Sequence, residues 1–198
     1  MRAEASFGPE RSVLRKLGDV SYPRWQFFPS HVQAPGWVGD FVKVVSSHSN
    51  DIDSRSVSSL TSDLVLSHIA DDLALLGYEV ETGKKSAQKI RRPVLFGEEG
   101  IERVSYEIAA FHDALGIAVE VEAGRGARGN AVYRDLIRTS LIVGAKYLVL
   151  GVMIDYRHQS SGKEVVVHSF EEAKSLIEAI YSSGRLGLPF EGVLLVGY

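Results

Sequence analysis

Cysteine is absent from the 198 residues, which removes disulfides, thiolate zinc sites and cysteine nucleophiles at once. No apolar run approaches the ~20 residues needed to span a bilayer. The first stretch, Met1 to Lys16, is charged and lacks the apolar centre of a secretion signal, so a cytoplasmic location and no membrane partner are expected. Basic residues are not in excess: 22 Lys and Arg against 25 Asp and Glu leave a net charge of −3. A nucleic-acid partner would therefore have to be met by a local basic patch rather than by the whole surface. No serine stands in a nucleophile elbow, and phosphate-loop and dinucleotide fingerprints are missing. What is present is an ordinary globular composition, 45% hydrophobic and 24% charged, long enough for one well-buried core.

Organisation changes near residue 60. Residues 1–59 are expected to form an N-terminal extension packed on the core. Both tryptophans, Trp25 and Trp37, lie there among prolines, where they serve either to pin the extension or to stack on bases. Phe41 to Val45 has strand character, and Ser46 to Ser59 has the composition of a loop. Residues 60–198 are expected to form an α/β domain. Thr61 or Ser62 caps a helix whose stripe is Val65, Ile69, Leu73 and Leu76, ending at Gly77. Tyr78 to Glu81 alternates as a short strand. Pro93 and Gly97 mark a loop or irregular edge, and Val104 to Phe111 alternates again as one strand. His112 to Gly116 reads as a hairpin turn, and Ile117 to Glu122 as the partner strand.

Asn130 is placed to cap the next helix, whose buried stripe is Val132, Leu136, Thr139 and Val143, with Arg134 and Arg138 nearly opposite. Lys146 to Ile154 is an apolar run suited to a strand covered on both faces. A strand, a crossover helix and a second apolar strand make a right-handed parallel unit, so a mixed central sheet flanked by helices is expected. Val165 to Val167, a helix opened by a capping box at Ser169 to Glu172, and the strand Val193 to Val196 complete the chain.

Glu120 and Glu122 are two apart on a strand and so project from one face, where like charges cost energy unless something positive joins them. A divalent cation is one answer, since Mg²⁺ is usually held by one or two carboxylates with water and phosphate. A solvated face with nearby arginines is the other. If His112 faces Ile117, Ala109 lies opposite Glu120, and Glu107 opposite Glu122 as a third carboxylate. Arg125 and Arg128, in a glycine-rich turn, are placed either to clamp phosphate or simply to sit in solvent. The basic run Lys84, Lys85, Lys89, Arg91 and Arg92 is the candidate for contact with a nucleic-acid backbone, or a solvated surface.

Helix, three-stranded meander, crossover helix and strand, with acids on the hairpin, is similar to the PD-(D/E)xK nucleases. Ile117-Ala118-Val119-Glu120-Val121-Glu122, followed by Arg134-Asp135-Leu136 and a strand ending in Gly151-Val152, looks most like the BamHI and BglII group. The likeness covers Leu60 to Tyr156. It implies a restriction-endonuclease-like fold and a DNA endonuclease that depends on Mg²⁺, with Mn²⁺ as the alternative ion, and that works as a homodimer. In that reading Glu107 and Glu120 bind metal, and Glu120 and Glu122 are catalytic, Glu122 standing in for the usual lysine. One departure stands out. The family places an acidic ligand where the register puts Ala109, which leaves three accounts: Glu107 has taken over, Asp113 reaches in from the turn, or the site is disabled. The alternative function is then a catalytically impaired nuclease-fold module that binds nucleic acid or a protein. A nuclease for RNA or for structured DNA ends is a third.

Overall fold

The computed structural model describes residues 21–124 and 130–198. Its centre is a six-stranded mixed sheet, with helices on both faces, as the sequence leads one to expect. The strands are β1 (Arg24–Phe28), β2 (Glu79–Val80), β5 (Ala110–His112), β6 (Ile117–Glu122), β7 (Tyr147–Val152) and β10 (Gly192–Gly197). Across the sheet the order is β1-β10-β7-β6-β5-β2, with β10, β7 and β6 parallel and the outer strands antiparallel to their neighbours. Two hairpins stand apart: β3 (Ile90–Phe96) with β4 (Glu102–Ile108), and β8 (Tyr156–Ser160) with β9 (Lys163–Val167).

The parallel strands explain the layering. Helix α4 (Ala131–Ser140) joins β6 to β7, and α5 (Ser169–Ser183) lies between β7 and β10. Both crossovers move the same way across the sheet and so pack on the same face. There Val132, Leu136, Phe170, Ala173 and Ile177 meet Ala118, Leu148, Leu150 and Leu195. Helices α1 (Gly36–Ser47), α2 (Ser49–Ile52) and α3 (Ser62–Leu75) cover the opposite face, where Phe41, Val45, Ile69 and Leu73 meet Val119, Val149 and Leu194. Buried on both sides, β10 is apolar without interruption from Val193 to Val196.

Several local expectations are corrected. Phe41 to Val45 is helix, not strand, because Val38, Phe41 and Val45 also fall on one helical face and that face meets the sheet. The strand expected over Val104 to Phe111 is broken at Ala109: β4 pairs with β3, and only β5 enters the main sheet. Pro93 lies inside β3, a strand of an isolated hairpin, and the register slips just after it. Thr61 caps α3 as expected, accepting from the Leu64 N–H at 3.2 Å. Asn130 does not cap α4 through its side chain, and the residue flanking α5 is His168, with Ser169 already inside the helix.

The hairpin register is as expected where it exists: His112 faces Ile117, Phe111 faces Ala118 and Ala110 faces Val119. Gly116 closes the turn at φ +65°, where a Cβ would lie 2.4 Å from the Gly144 carbonyl oxygen. Beyond Ala110 the ladder ends. Glu107 is opposite Arg91 rather than Glu122, so β6 continues past its hairpin partner with Glu120 and Glu122 on its free part.

Candidate acidic site on the free edge of the sheet

Alternation along β6 sends Val119 and Val121 toward α3 and sends Ala118, Glu120 and Glu122 toward α4. The end of the strand is fixed from both sides. The Tyr198 hydroxyl donates to the Glu122 carbonyl at 2.8 Å, and the Ala123 N–H donates to the Ser62 hydroxyl at 3.1 Å. Where β5 is missing, a cavity of about 160 Å³ opens, lined among others by Glu81, Lys89, Glu107, Ala109, Glu120 and Arg138. The two acids expected to share a metal, Glu107 and Glu120, thus face one space.

Their surroundings differ. Glu107 is held by Arg91, with Nη2 to Oε1 at 2.9 Å. Glu122 is held by Arg134, which also reaches Asp135 through Nε at 3.0 Å. No hydrogen bond or ion pair to the Glu120 carboxylate occurs among the described residues, although Arg138 and Arg134 act on it at longer range. Burial first, and then the negative charge of Asp135, push Glu120 up to about 8. Glu122 is raised to about 7, by burial first and then by the charge of Asp135 and a hydrogen bond shared with it, against the pull of Arg134.

Asp135, read from the sequence only as part of the run Arg134-Asp135-Leu136, is the residue whose place in the site sequence reasoning missed. Its side chain is 1% exposed, and its Oδ2 has no donor. The Glu122 carboxyl in its protonated form would donate to that oxygen. The available signal was position: Asp135 follows Val132 by three and precedes Leu136 on the buried side of α4, where a carboxylate needs a reason to be. Lys89 was read as part of a surface run, yet it lines the cavity and bonds Glu81 at 2.8 Å, with both side chains largely buried. The bond to Glu81 raises its pKa.

Lys84, Arg91 and Arg92 of the basic run are also paired. Lys84 reaches Asp63 at 2.9 Å, and Arg92 reaches Glu79 at 2.7 Å and Asp113 at 2.9 Å while lying over the Phe111 ring. Lys84, Lys85 and Arg91 are exposed. Asp113 is thereby committed to Arg92. Ala109, 9% exposed, lines the cavity, and its carbonyl accepts from the Glu81 N–H at 2.9 Å. His112 belongs to the turn, accepting at Nδ1 from the Leu115 N–H at 3.3 Å. Trp37 packs on Phe27 and Tyr147, whereas Trp25 is largely exposed on β1. Arg125 and Arg128 lie outside the described residues. Among the described residues, no three His, Asp or Glu side chains are gathered so as to hold a metal ion.

No protein-family profile matches the chain, and no curated protein matches it. Among solved structures, it is similar to the restriction endonuclease BglII complexed with a DNA 16-mer, at 12% sequence identity and a TM-score of 0.45, over 89% of this chain and 76% of that one.

Proposed function

We propose that the chain hydrolyses phosphodiester bonds of DNA as a metal-assisted endonuclease centred on Glu120. The observation that carries this is a carboxylate without a hydrogen-bonding partner, desolvated among other acids, on a cavity open to a ligand. A cation would compensate such a carboxylate. The donor set fits a hard divalent ion of the Mg²⁺ kind, or Mn²⁺, with Glu120 and Glu107 as protein ligands, because such ions are commonly held by two carboxylates plus water and phosphate. When bound, the ion would polarise the phosphate and acidify a water molecule.

The chain's own groups have separable tasks in this reading. Lys89, balanced by Glu81, presents a positive charge to a phosphate entering the cavity, and Arg138 adds a second. Glu122, its proton affinity raised by burial and its carboxylate steadied by Arg134, is the group that takes a proton from the attacking water. The exposed Lys84, Lys85 and Arg91 are the backbone contacts, joined in this proposal by Arg125 and Arg128. Cutting both strands at one place would call for two chains related by a two-fold axis, hence a homodimer.

A second reading is favoured by Ala109, which stands where the resemblance implies an acidic ligand, and by the arginines already holding Glu107 and Glu122. It is a module that binds nucleic acid without cutting it. Incubating supercoiled plasmid with the purified chain in Mg²⁺ separates the two. Nicking that falls at least about 100-fold in Glu120→Gln supports the enzyme. Nicking that survives the change removes Glu120 from the chemistry. DNA binding with no nicking, and no heat on titrating Mg²⁺, favours the module.

A further inference from the structure

A second and larger cavity, of about 400 Å³, lies beside the first. Leu60 lines it and Ser62 lines the Glu120 cavity, so the two are separated by little more than the start of α3. It sits beyond the carboxyl ends of the parallel strands β6 and β7, the side of an α/β sheet where ligands commonly bind. Its walls are the loop from Ser54 to Leu60 and the chain leaving β7 at Met153 to Arg157.

The loop is firmly built. The buried Ser54 hydroxyl donates to the Tyr198 carbonyl and accepts from the N–H groups of Ile154, at 2.9 Å, and Asp155, at 3.3 Å. This anchor leaves the hydroxyls of the exposed Ser58 and Ser59 on the rim, with Ser59 in the left-handed region at φ +63°, while the neighbouring Ser56 hydroxyl donates to the Asp53 carbonyl at 3.3 Å. Arg157 lines the same cavity, exposed and, among the described residues, ion-paired with Glu164 at 3.8 Å, a contact long enough to be exchanged for a better anion. The carboxylates nearby are already used: Asp155 is bonded to His168 at 2.8 Å, and Asp53 holds Arg55 at 2.7 Å. Tyr156 supplies an aromatic surface and carries His158 stacked on its ring, at 5.0 Å and 10°. The His158 Nδ1 is buried without a partner.

An aromatic ring backed on one side by His158, the hydroxyls of Ser58 and Ser59 and a loosely held guanidinium surround one cavity. Together they match one nucleotide, its base on the ring surface left by His158 and its phosphate on the rim. We infer that this cavity holds an unpaired nucleotide of the DNA strand whose phosphodiester enters the Glu120 cavity. A base stacked inside a duplex reaches such a recess only by being flipped out at the cost of its pairing and stacking, so the favoured substrate class is DNA with an unpaired stretch at the cut. The inference deepens the proposed nuclease activity and rests on it for the identity of the strand.

The test is a fluorescein-labelled 12-nucleotide single-stranded DNA titrated with the full chain in EDTA and followed by anisotropy, which reads the cavity with no cutting. Tyr156→Ala is expected to weaken binding about tenfold, and Tyr156→Phe, which keeps the ring, to bind as the wild type does. Arg157→Ala, a change at an exposed side chain, is expected to weaken binding and to lower the salt slope by about one. The same oligonucleotide annealed to its complement should bind more weakly and ignore Tyr156. Should Tyr156→Ala fail to fold, Arg157→Ala and the duplex comparison decide. Wild-type affinity in the variants, equal affinity for duplex, or no binding of the strand overturns the inference. Plasmid nicking alongside Tyr156-independent binding discards the nucleotide cavity and keeps the nuclease. Tyr156-dependent binding without nicking keeps the cavity and discards the nuclease.

Discussion

Glu120 has the least compensated charge of the acidic cluster, and the cost of that charge depends on pH. An unfolded glutamate loses its proton near the ordinary 4.5, whereas in the folded protein Glu120 keeps it to about 8. Between those values the folded state binds the extra proton, so this residue lowers stability as pH rises, by up to about 1.4 kcal/mol per pH unit. Below 4.5 both states are protonated and the penalty vanishes. Glu120→Gln keeps the shape and removes the titration. The variant is expected to match the wild type at pH 4.5 and to exceed it by about 2–4 kcal/mol at pH 8, in urea unfolding monitored at both values. Parallel loss of stability in the two proteins would mean that the carboxylate has found a partner. The pair Glu120 and Glu122 was legible from the two-residue period of a strand alone. Asp135 and Lys89 were not, because their roles depend on which helix face and which hairpin close over β6, and those are tertiary facts.

Elements show where burial overrules local pattern. Phe41-Val42-Lys43-Val44-Val45 is rich in valine, which favours a strand. The segment is nevertheless helix α1, and Val38, Phe41 and Val45 enter the core against α3 and the sheet. Packing of a whole apolar face outweighs a helix-propensity deficit of roughly half a kcal/mol per valine. Phe41 is 2% exposed and meets the Tyr78 ring edge-on at 6.0 Å. Phe41→Ala should therefore cost about 3–5 kcal/mol in urea unfolding. A loss below about 1 kcal/mol would instead be what a solvated extension gives. The break at Ala109 has a similar lesson. Alternation continues smoothly from Val104 to Phe111, yet β4 leaves for β3, where Arg91 and Arg92 meet Glu107 and Tyr106 in register. Departure of β4 from the main sheet leaves the edge of β6 open, and the cavity exists because of it. Nothing in a single period-two pattern marks the residue at which a strand changes partners.

At the scale of the whole molecule, the first described residues are woven into the sheet. Strand β1 pairs with β10 along its full length, from Arg24 opposite Gly197 to Phe28 opposite Val193. Phe27 lies so close to Gly192 that a Cβ there would meet its ring at 2.1 Å, so glycine and phenylalanine fit as one unit. On the helical side, Phe27, Val38, Phe41, Val45 and Ile52 are all buried against side chains from α3, β6, β7 and β10. Without this part of the chain, β10 would become an unpaired edge, and the apolar faces of α3 and of three central strands would meet water. The same strands position both cavities, since Ser54 ties the early chain to the end of β7 and to Tyr198, whose hydroxyl in turn holds Glu122. A fragment of residues 60–198 is accordingly expected to lose cooperative unfolding, bind a hydrophobic dye and yield to protease within the β10 region. Adding residues 1–59 back as a separate chain should restore the transition only if β1 and α1 dock again. A fragment that unfolds cooperatively, with a urea midpoint near that of the full chain, would show that the sheet closes without them, and the linkage argued from Ser54 and Tyr198 to the acidic site would fall.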